Sequence, residues 1–256
     1  REAILHSQLQ HPNILHFLGA HYEQPDSPPL VILPFHEHGS LQNLLADLPV
    51  GGLMQVVGSA RGVVYLHSRT PPIIHGDLHP GNILLDNAGD PVLCDFGLSR
   101  IHHEPSRSHS IREDGGRTRF IAPELHDSSA DQFSSTQESD IFALAMTYLN
   151  AWSSHPPFSE IKNEYLVTSR YRQGLRPMEP GAVVMLEPRM KTDFWKLITT
   201  MWAHDVSKRP SSSTVLEQLE DIFNPCESYW WIQLFLSVWA SSQGIFDLLF
   251  MLCSKQ

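Results

Sequence analysis

The sequence predicts an α+β fold in which short strands crowd the front of the chain and helices dominate after them. Brief apolar stretches at 14–20, 30–35, 73–74, 83–85 and 92–94 are divided by turn-forming polar runs such as Asn87-Ala88-Gly89-Asp90, the pattern of short strands. Longer runs at 140–152, 193–203 and 213–223 carry helical length and periodicity. The 256 residues, 41% of them hydrophobic, suffice for one substantial core or at most two modest domains. No internal repeat divides them.

The elements follow in order. Residues 1–10 place Ala3, Ile4, Leu5 and Leu9 mostly on one helical face, and His11-Pro12 ends that run. The stretches Ile14–Ala20 and Leu30–Phe35 read as neighbouring strands across the polar turn Glu23–Pro29. Gly39-Ser40 announces a helix over Leu41–Leu48, and a second follows over Met54–His67. From Ser99 to Gly116 the chain turns to Ser, His, Arg and Glu without periodicity, which predicts a mobile loop. Tyr229–Cys253 is apolar and different in character.

Composition removes several functions. The net charge is −10 and no Lys/Arg-rich run occurs, so binding to nucleic-acid phosphates is not expected. Three cysteines, far apart and odd in number, cannot build a full disulfide framework, and a reducing, cytoplasmic setting is expected. The sequence opens on Arg1 inside its first helix and reads as cut at the front.

The decisive segment is His75-Gly76-Asp77-Leu78-His79-Pro80-Gly81-Asn82, followed by Ile83-Leu84-Leu85-Asp86 and then Asp95-Phe96-Gly97. Two carboxylates and one carboxamide on tight loops between short strands can hold hard oxygen ligands around Mg²⁺ and leave one carboxylate free as a base. A lone Asp-Phe-Gly is weak. The ordered set, completed by Ala122-Pro123-Glu124, is specific.

This ordered set resembles the eukaryotic protein kinase family over about residues 1–224. The resemblance implies a two-lobe fold, with 1–34 the remnant of a small lobe, 35–224 the large lobe and 225–256 a hydrophobic extension. It implies ATP and Mg²⁺ as cofactors and a protein substrate. Asp77 would be the catalytic-loop base, with Asn82 and Asp95 the metal ligands. Glu2 stands where the family has the glutamate that pairs with a strand lysine. Leu33-Pro34-Phe35-His36 resembles the gatekeeper and hinge. There Leu33 is the gatekeeper, Pro34 and His36 lend main-chain groups to adenine, and Leu84 is the apolar floor. Glu124 and Arg209 resemble the buried ion pair that staples the activation segment. Asp140 resembles the helix aspartate that anchors the catalytic loop. Gly39-Ser40-Leu41, Met201-Trp202 and Lys208-Arg209-Pro210 point to the tyrosine-kinase-like branch, and Pro80 to Ser/Thr acceptors.

The sequence departs from the family at several positions. Gly76 replaces an arginine that usually meets a phosphorylated loop residue, so switching is not expected to use that contact. His79 replaces the catalytic-loop lysine expected beside the γ-phosphate. An imidazole carries a full charge only when protonated, so transfer is expected to be slower, or favoured at lower pH. Arg117 stands where many Ser/Thr kinases carry threonine, with Thr118 one place late, which leaves the substrate-side hydrogen bond in question. No Gly-rich loop and no Val-Ala-x-Lys occur in these residues, so weak ATP binding by this chain is expected. The departures keep a second reading open, a pseudokinase scaffold.

Fifteen histidines raise the question of a metal site. His6, His11, His16 and His21 recur at a spacing that does not stack on one helical face, and no tight cluster with cysteines appears. They read as solvated or structurally satisfied. The 25 residues of Tyr229–Cys253 carry one charge, Asp247, and their length permits a membrane span. Asp247 would cost about 2.5–3.5 kcal/mol at a bilayer centre, and Ser241-Ser242-Gln243-Gly244 interrupts the run. Membrane association through 229–253 is therefore the lesser expectation, behind a helix packed on the large lobe or an unrelated extension.

Overall fold

The computed structural model describes residues 2–23, 30–47, 55–101, 116–126, 134–181 and 186–223. The expected tail at 229–253 and most of the 99–116 loop lie outside these residues.

The core is built around one helix. Helix α4 (Gln137–Ser153) is buried on every side from Ser139 to Trp152, as its nearly continuous apolar sequence requires. A capping box starts it. The Thr136 hydroxyl accepts from the Ser139 amide, and the Ser139 hydroxyl accepts from the Thr136 amide. Around α4 stand α3 (Val56–His67), α6 (Pro188–Met201) and α7 (Ser212–Ile222). Trp152, Phe194, Trp195 and Phe223 form a run of ring contacts between α4, α6 and the end of α7. Helix α5 (Glu164–Arg172) was not predicted from sequence. Only Val167 and Tyr171 bury in it, too few apolar positions to raise a periodic signal.

Among the described residues the strands form three antiparallel pairs: β1 (Gly19–His21) with β2 (Leu30–Ile32), β3 (Ile73–Ile74) with β6 (Arg100–Ile101), and β4 (Ile83–Leu85) with β5 (Pro91–Leu93). The β3–β6 pair shows that part of the segment expected to be a loop is ordered against the core. The expected strand 14–20 is shorter. Ile14 makes a single parallel bridge to Leu93, and the Leu15 carbonyl is taken by the His6 imidazole at 2.6 Å rather than by a strand partner.

Helix α1 (Glu2–His6) buries Ala3, Leu5, His6 and the following Leu9. Ile4 does not join them and is 65% exposed, because so short a helix turns it to the opposite side. Helix α2 (Leu41–Asp47) begins where Ser40 and Asn43 bond reciprocally.

The front of the chain is seated on the helical body through two glycines of α3. A Cβ on Gly62 would lie 2.8 Å from the Asn13 carbonyl, and one on Gly58 2.4 Å from the Pro91 ring. The pair permits α3 to approach the 13–15 segment and β5, where Asn13 donates to the Pro91 carbonyl at 2.9 Å.

Candidate active site

The β4–β5 hairpin brings the sequence-predicted residues together. Its register pairs Ile83 with Leu93, and one step further the Cys94 amide donates to the Asn82 carbonyl at 3.0 Å. Asn82 therefore closes the same end of the hairpin from which Asp95 emerges. Asp95 is exposed and left-handed at φ 60°, its Oδ1 accepting from the Gly97 amide. Phe96 turns the opposite way and is 1% exposed. The Asn82 Nδ2 donates to both the carbonyl oxygen and Oδ2 of Asp77, each at 2.9 Å. That fixes the amide's orientation and leaves its oxygen as the end able to meet a cation.

The loop carrying Asp77 is clamped from below by Asp140. One oxygen accepts from the His75 amide at 2.8 Å and from the His67 imidazole at 3.0 Å; the other accepts from the Gly76 amide at 2.9 Å. Both amides can face one carboxylate because the backbone bends left-handed at Gly76, φ 79°, a conformation that costs an L side chain about 1–2 kcal/mol. His75 donates to the Cys94 carbonyl at 3.1 Å while its other ring nitrogen accepts from the Asp77 amide. Burial holds its pKa below the ordinary range, so it serves as a neutral spacer.

A column of rings that sequence reasoning missed ties α1 to this loop. Phe17 meets His6 at 5.7 Å, His6 meets Phe96 at 4.7 Å, and Phe96 meets His75 at 5.3 Å. The signal was hidden because His6 is a polar residue serving as core, only 2% exposed. Its five-residue relatives differ. His11 stacks on Tyr65, whereas His16 and His21 are exposed.

The segment after the loop is fixed by two arginines. Arg209 grips Glu124 through two nitrogens, at 2.6 and 2.8 Å, and also donates to the Glu138 and Ala203 carbonyls. Arg119 is buried, donating to the carbonyls of Pro157, Phe158 and Ile161. Two residues before Arg119, Arg117 turns to Asp77. Its Nε donates to Oδ1 at 3.2 Å, and its Nη2 meets Oδ2. Thr118 bonds Glu164 instead, at 2.9 Å.

The protein kinase domain model matches residues 1–219. The chain belongs to the protein kinase family. It is 30% identical to the serine/threonine-protein kinase VIK of Arabidopsis thaliana, over 87% of this chain and 50% of that protein. It is 29% identical to the probable serine/threonine-protein kinase drkC of Dictyostelium discoideum, over 86% of this chain and 28% of that protein. The serine/threonine-protein kinase CTR1 of Arabidopsis thaliana is 27% identical over 87% of this chain and 26% of its own length. The chain thus spans half or less of these curated relatives. The set agrees with the tyrosine-kinase-like branch.

The remaining expected residues of this kinase-family chain lie along its front. The Ser40–Leu84 bridge and the Leu85 amide's bond to the Gly39 carbonyl lay residues 39–40 beside β4. Leu84 packs with Leu15, Val92 and Cys94. Leu33 is 38% exposed and Pro34 half-buried. The His36 carbonyl already accepts from the Gly39 amide, and its Nδ1 is buried without a partner. The side chain of Glu2 lies outside the described residues. The expected gain at lower pH from His79 meets an obstacle. Its Nδ1 accepts the Gly81 amide, and burial drives its pKa down to about 4. Among the described residues no helix is long and apolar enough to cross a membrane.

Proposed function

We propose that the protein transfers the γ-phosphate of ATP to Ser/Thr hydroxyls of protein substrates, in a reducing, cytoplasmic setting. The observation that carries this reading is the Asp77–Asn82–Asp95 constellation. A carboxylate is held in place by an amide, beside a second carboxylate at the open end of a hairpin.

The donors suit Mg²⁺. Asp95 offers carboxylate oxygen and Asn82 amide oxygen, both hard ligands. Among the described residues no group of three or more His, Cys, Asp or Glu converges to hold a metal alone. The ion would complete its shell with phosphate and water, as Mg²⁺ commonly does. When bound, Mg·ATP supplies the phosphoryl group and the divalent charge that offsets it. Leu84 would lie beneath the adenine, with Leu33, Pro34 and His36 along its edge. Asp77 orients the acceptor hydroxyl and takes its proton on a carboxylate oxygen. Asn82 keeps that carboxylate from rotating, and Asp140 keeps the loop beneath it from moving. The Glu124–Arg209 pair holds the substrate-facing segment to the late helices.

These 256 residues contain no G-x-G-x-x-G and no Val-Ala-x-Lys, so the chain alone is expected to bind ATP weakly. The test uses the whole protein. Phosphate transfer from Mg·ATP to a protein substrate should fall at least about 100-fold in Asp77→Asn. Equal, background-level incorporation by both proteins overturns the reading. It would leave the second one, a binding scaffold, which the departures from the family pattern at Gly76, His79 and Arg117 favour.

A further inference from the structure

A group-transfer site of this kind needs fixed positive charge near the base and the departing phosphates, because charge spreads over the transferred group as it moves. The catalytic loop does not provide it. Gly76 has no side chain. His79 is neutral by its own hydrogen bonding: Nδ1 accepts the Gly81 amide at 3.1 Å, so only Nε2 carries a proton, 3.9 Å from Asp77 Oδ2.

We propose that Arg117 is the fixed cation of the transfer site, holding the Asp77 carboxylate in register and presenting positive charge to the terminal phosphate of the nucleotide. The inference rests on the kinase reading above, but it concerns a residue outside the family pattern. A positive charge expected on the loop at position 79 is instead supplied from the segment at position 117.

The geometry supports this in three ways. The guanidinium spans both carboxylate oxygens of Asp77, a two-point contact that fixes orientation as well as neutralising charge. The turn that carries it is held on either side. The Gly116 amide and Thr118 hydroxyl both donate to Glu164, at 2.6 and 2.9 Å, and the next residue, Arg119, is locked by three carbonyls. Arg117 therefore projects from an immobile base.

Third, the contact leaves Asp77 usable. A carboxylate has about four acceptor positions. Arg117 Nε uses one on Oδ1, while Arg117 Nη2 and Asn82 Nδ2 share Oδ2. Among the described residues Arg117 Nε is the partner seen on Oδ1, which leaves that oxygen a second acceptor position for a hydroxyl. Arg117 also lines a cleft of about 290 Å³ with Gln42, His79 and Phe120, and its side chain keeps 29% of its surface exposed. These features distinguish an assisting cation from a plug that closes the base.

The test compares wild-type whole protein with R117K, R117Q and the double variant R117Q/H79K. Two readouts are taken: affinity for Mg·ATP against Mg·ADP by calorimetry, and kcat with KM for transfer to a protein substrate. Wild type should prefer ATP. R117Q should lose that preference by about tenfold and lose kcat more than KM. R117K should keep most of both, and returning a cation at position 79 in R117Q/H79K should restore them. Unchanged or raised kcat and unchanged nucleotide preference in R117Q overturn the inference, as does a wild type that binds both nucleotides alike. If preference follows the charge while no variant transfers phosphate, Arg117 keeps its role and the transfer reading fails. If transfer is robust and indifferent to Arg117, the reverse holds.

Discussion

The floor and the front of the candidate site are held in opposite ways. On the floor, Ile74, His75 and Leu78 are at most 1% exposed, and Asp140 ties two backbone amides and the His67 ring into one buried carboxylate. At the front, Leu18, Leu30, Ile32 and Phe35 are 48–85% exposed, and among the described residues β1 and β2 form a two-stranded sheet of three residues a strand, marginal by itself. The chemistry-bearing loop thus takes its precision from a single buried helix. The front meets that body through the α3 glycine seam, the ring column and the Ile14–Leu93 and Ser40–Leu84 bridges. Stability and the proposed nucleotide contact are accordingly separable in this chain, and substitutions can address each alone.

The contrast predicts its largest effect at Asp140. Asp140→Ala leaves the His75 and Gly76 amides buried without an acceptor and the His67 ring without its partner. A loss of about 3–5 kcal/mol in urea unfolding is expected. A loss near 1 kcal/mol would mean that the floor is held by packing rather than by this carboxylate.

A smaller loss is expected at the seam. Gly62→Ala gains about 1 kcal/mol of helix propensity, but its Cβ would sit 2.8 Å from a backbone oxygen and 2.9 Å from Leu93. Overpacking of that kind costs about 1–3 kcal/mol. The net change should be destabilising by about 1 kcal/mol, with amide exchange rising at residues 13–15 more than in α4. Stabilisation instead would show that the front moves freely over α3.

How much of this was legible follows from the physics of each feature. The family was readable because catalysis fixes residue types at short spacings, as in Asp77, Asn82 and Asp95. The long helices were readable because burial imposes periodicity over several turns. Helix α5 was not, with two buried side chains, nor was the outward turn of Ile4 on a helix too short for periodicity to choose a face. The ring column escaped because His6 and His75 bury polar rings whose partners are carbonyls, and polarity alone reads as surface. The Arg117–Asp77 contact joins residues far apart in sequence, and local pattern carries no such pairing.

The pH response sharpens the same contrast, since His75 on the floor is buried and His79 and His126 are partly buried. Burial lowers the pKa of His75, His79 and His126 below the ordinary 6.5, His79 to about 4. The unfolded chain therefore binds more protons than the folded one below pH 6.5. Their contribution is complete above that value and is lost as pH falls through it toward the folded pKa values. The urea midpoint should drop between pH 7 and pH 5, and His79→Gln should flatten that slope. A slope unchanged by the substitution would place the sensitivity elsewhere.

The smallest effect belongs to the front. Phe35 is 85% exposed, so Phe35→Ser removes little apolar area that folding had taken from water, and stability should change by no more than about 0.5 kcal/mol. Its neighbours His36 and Pro34 carry the main-chain groups assigned to adenine, and backbone groups survive a side-chain change at position 35. Nucleotide affinity of the whole protein should accordingly stay within about twofold, a limit of roughly 0.4 kcal/mol. A destabilisation above about 1 kcal/mol would mean that Phe35 is covered in the whole protein. The front would then be a packed layer there, and the asymmetry between the two regions would belong to this chain alone.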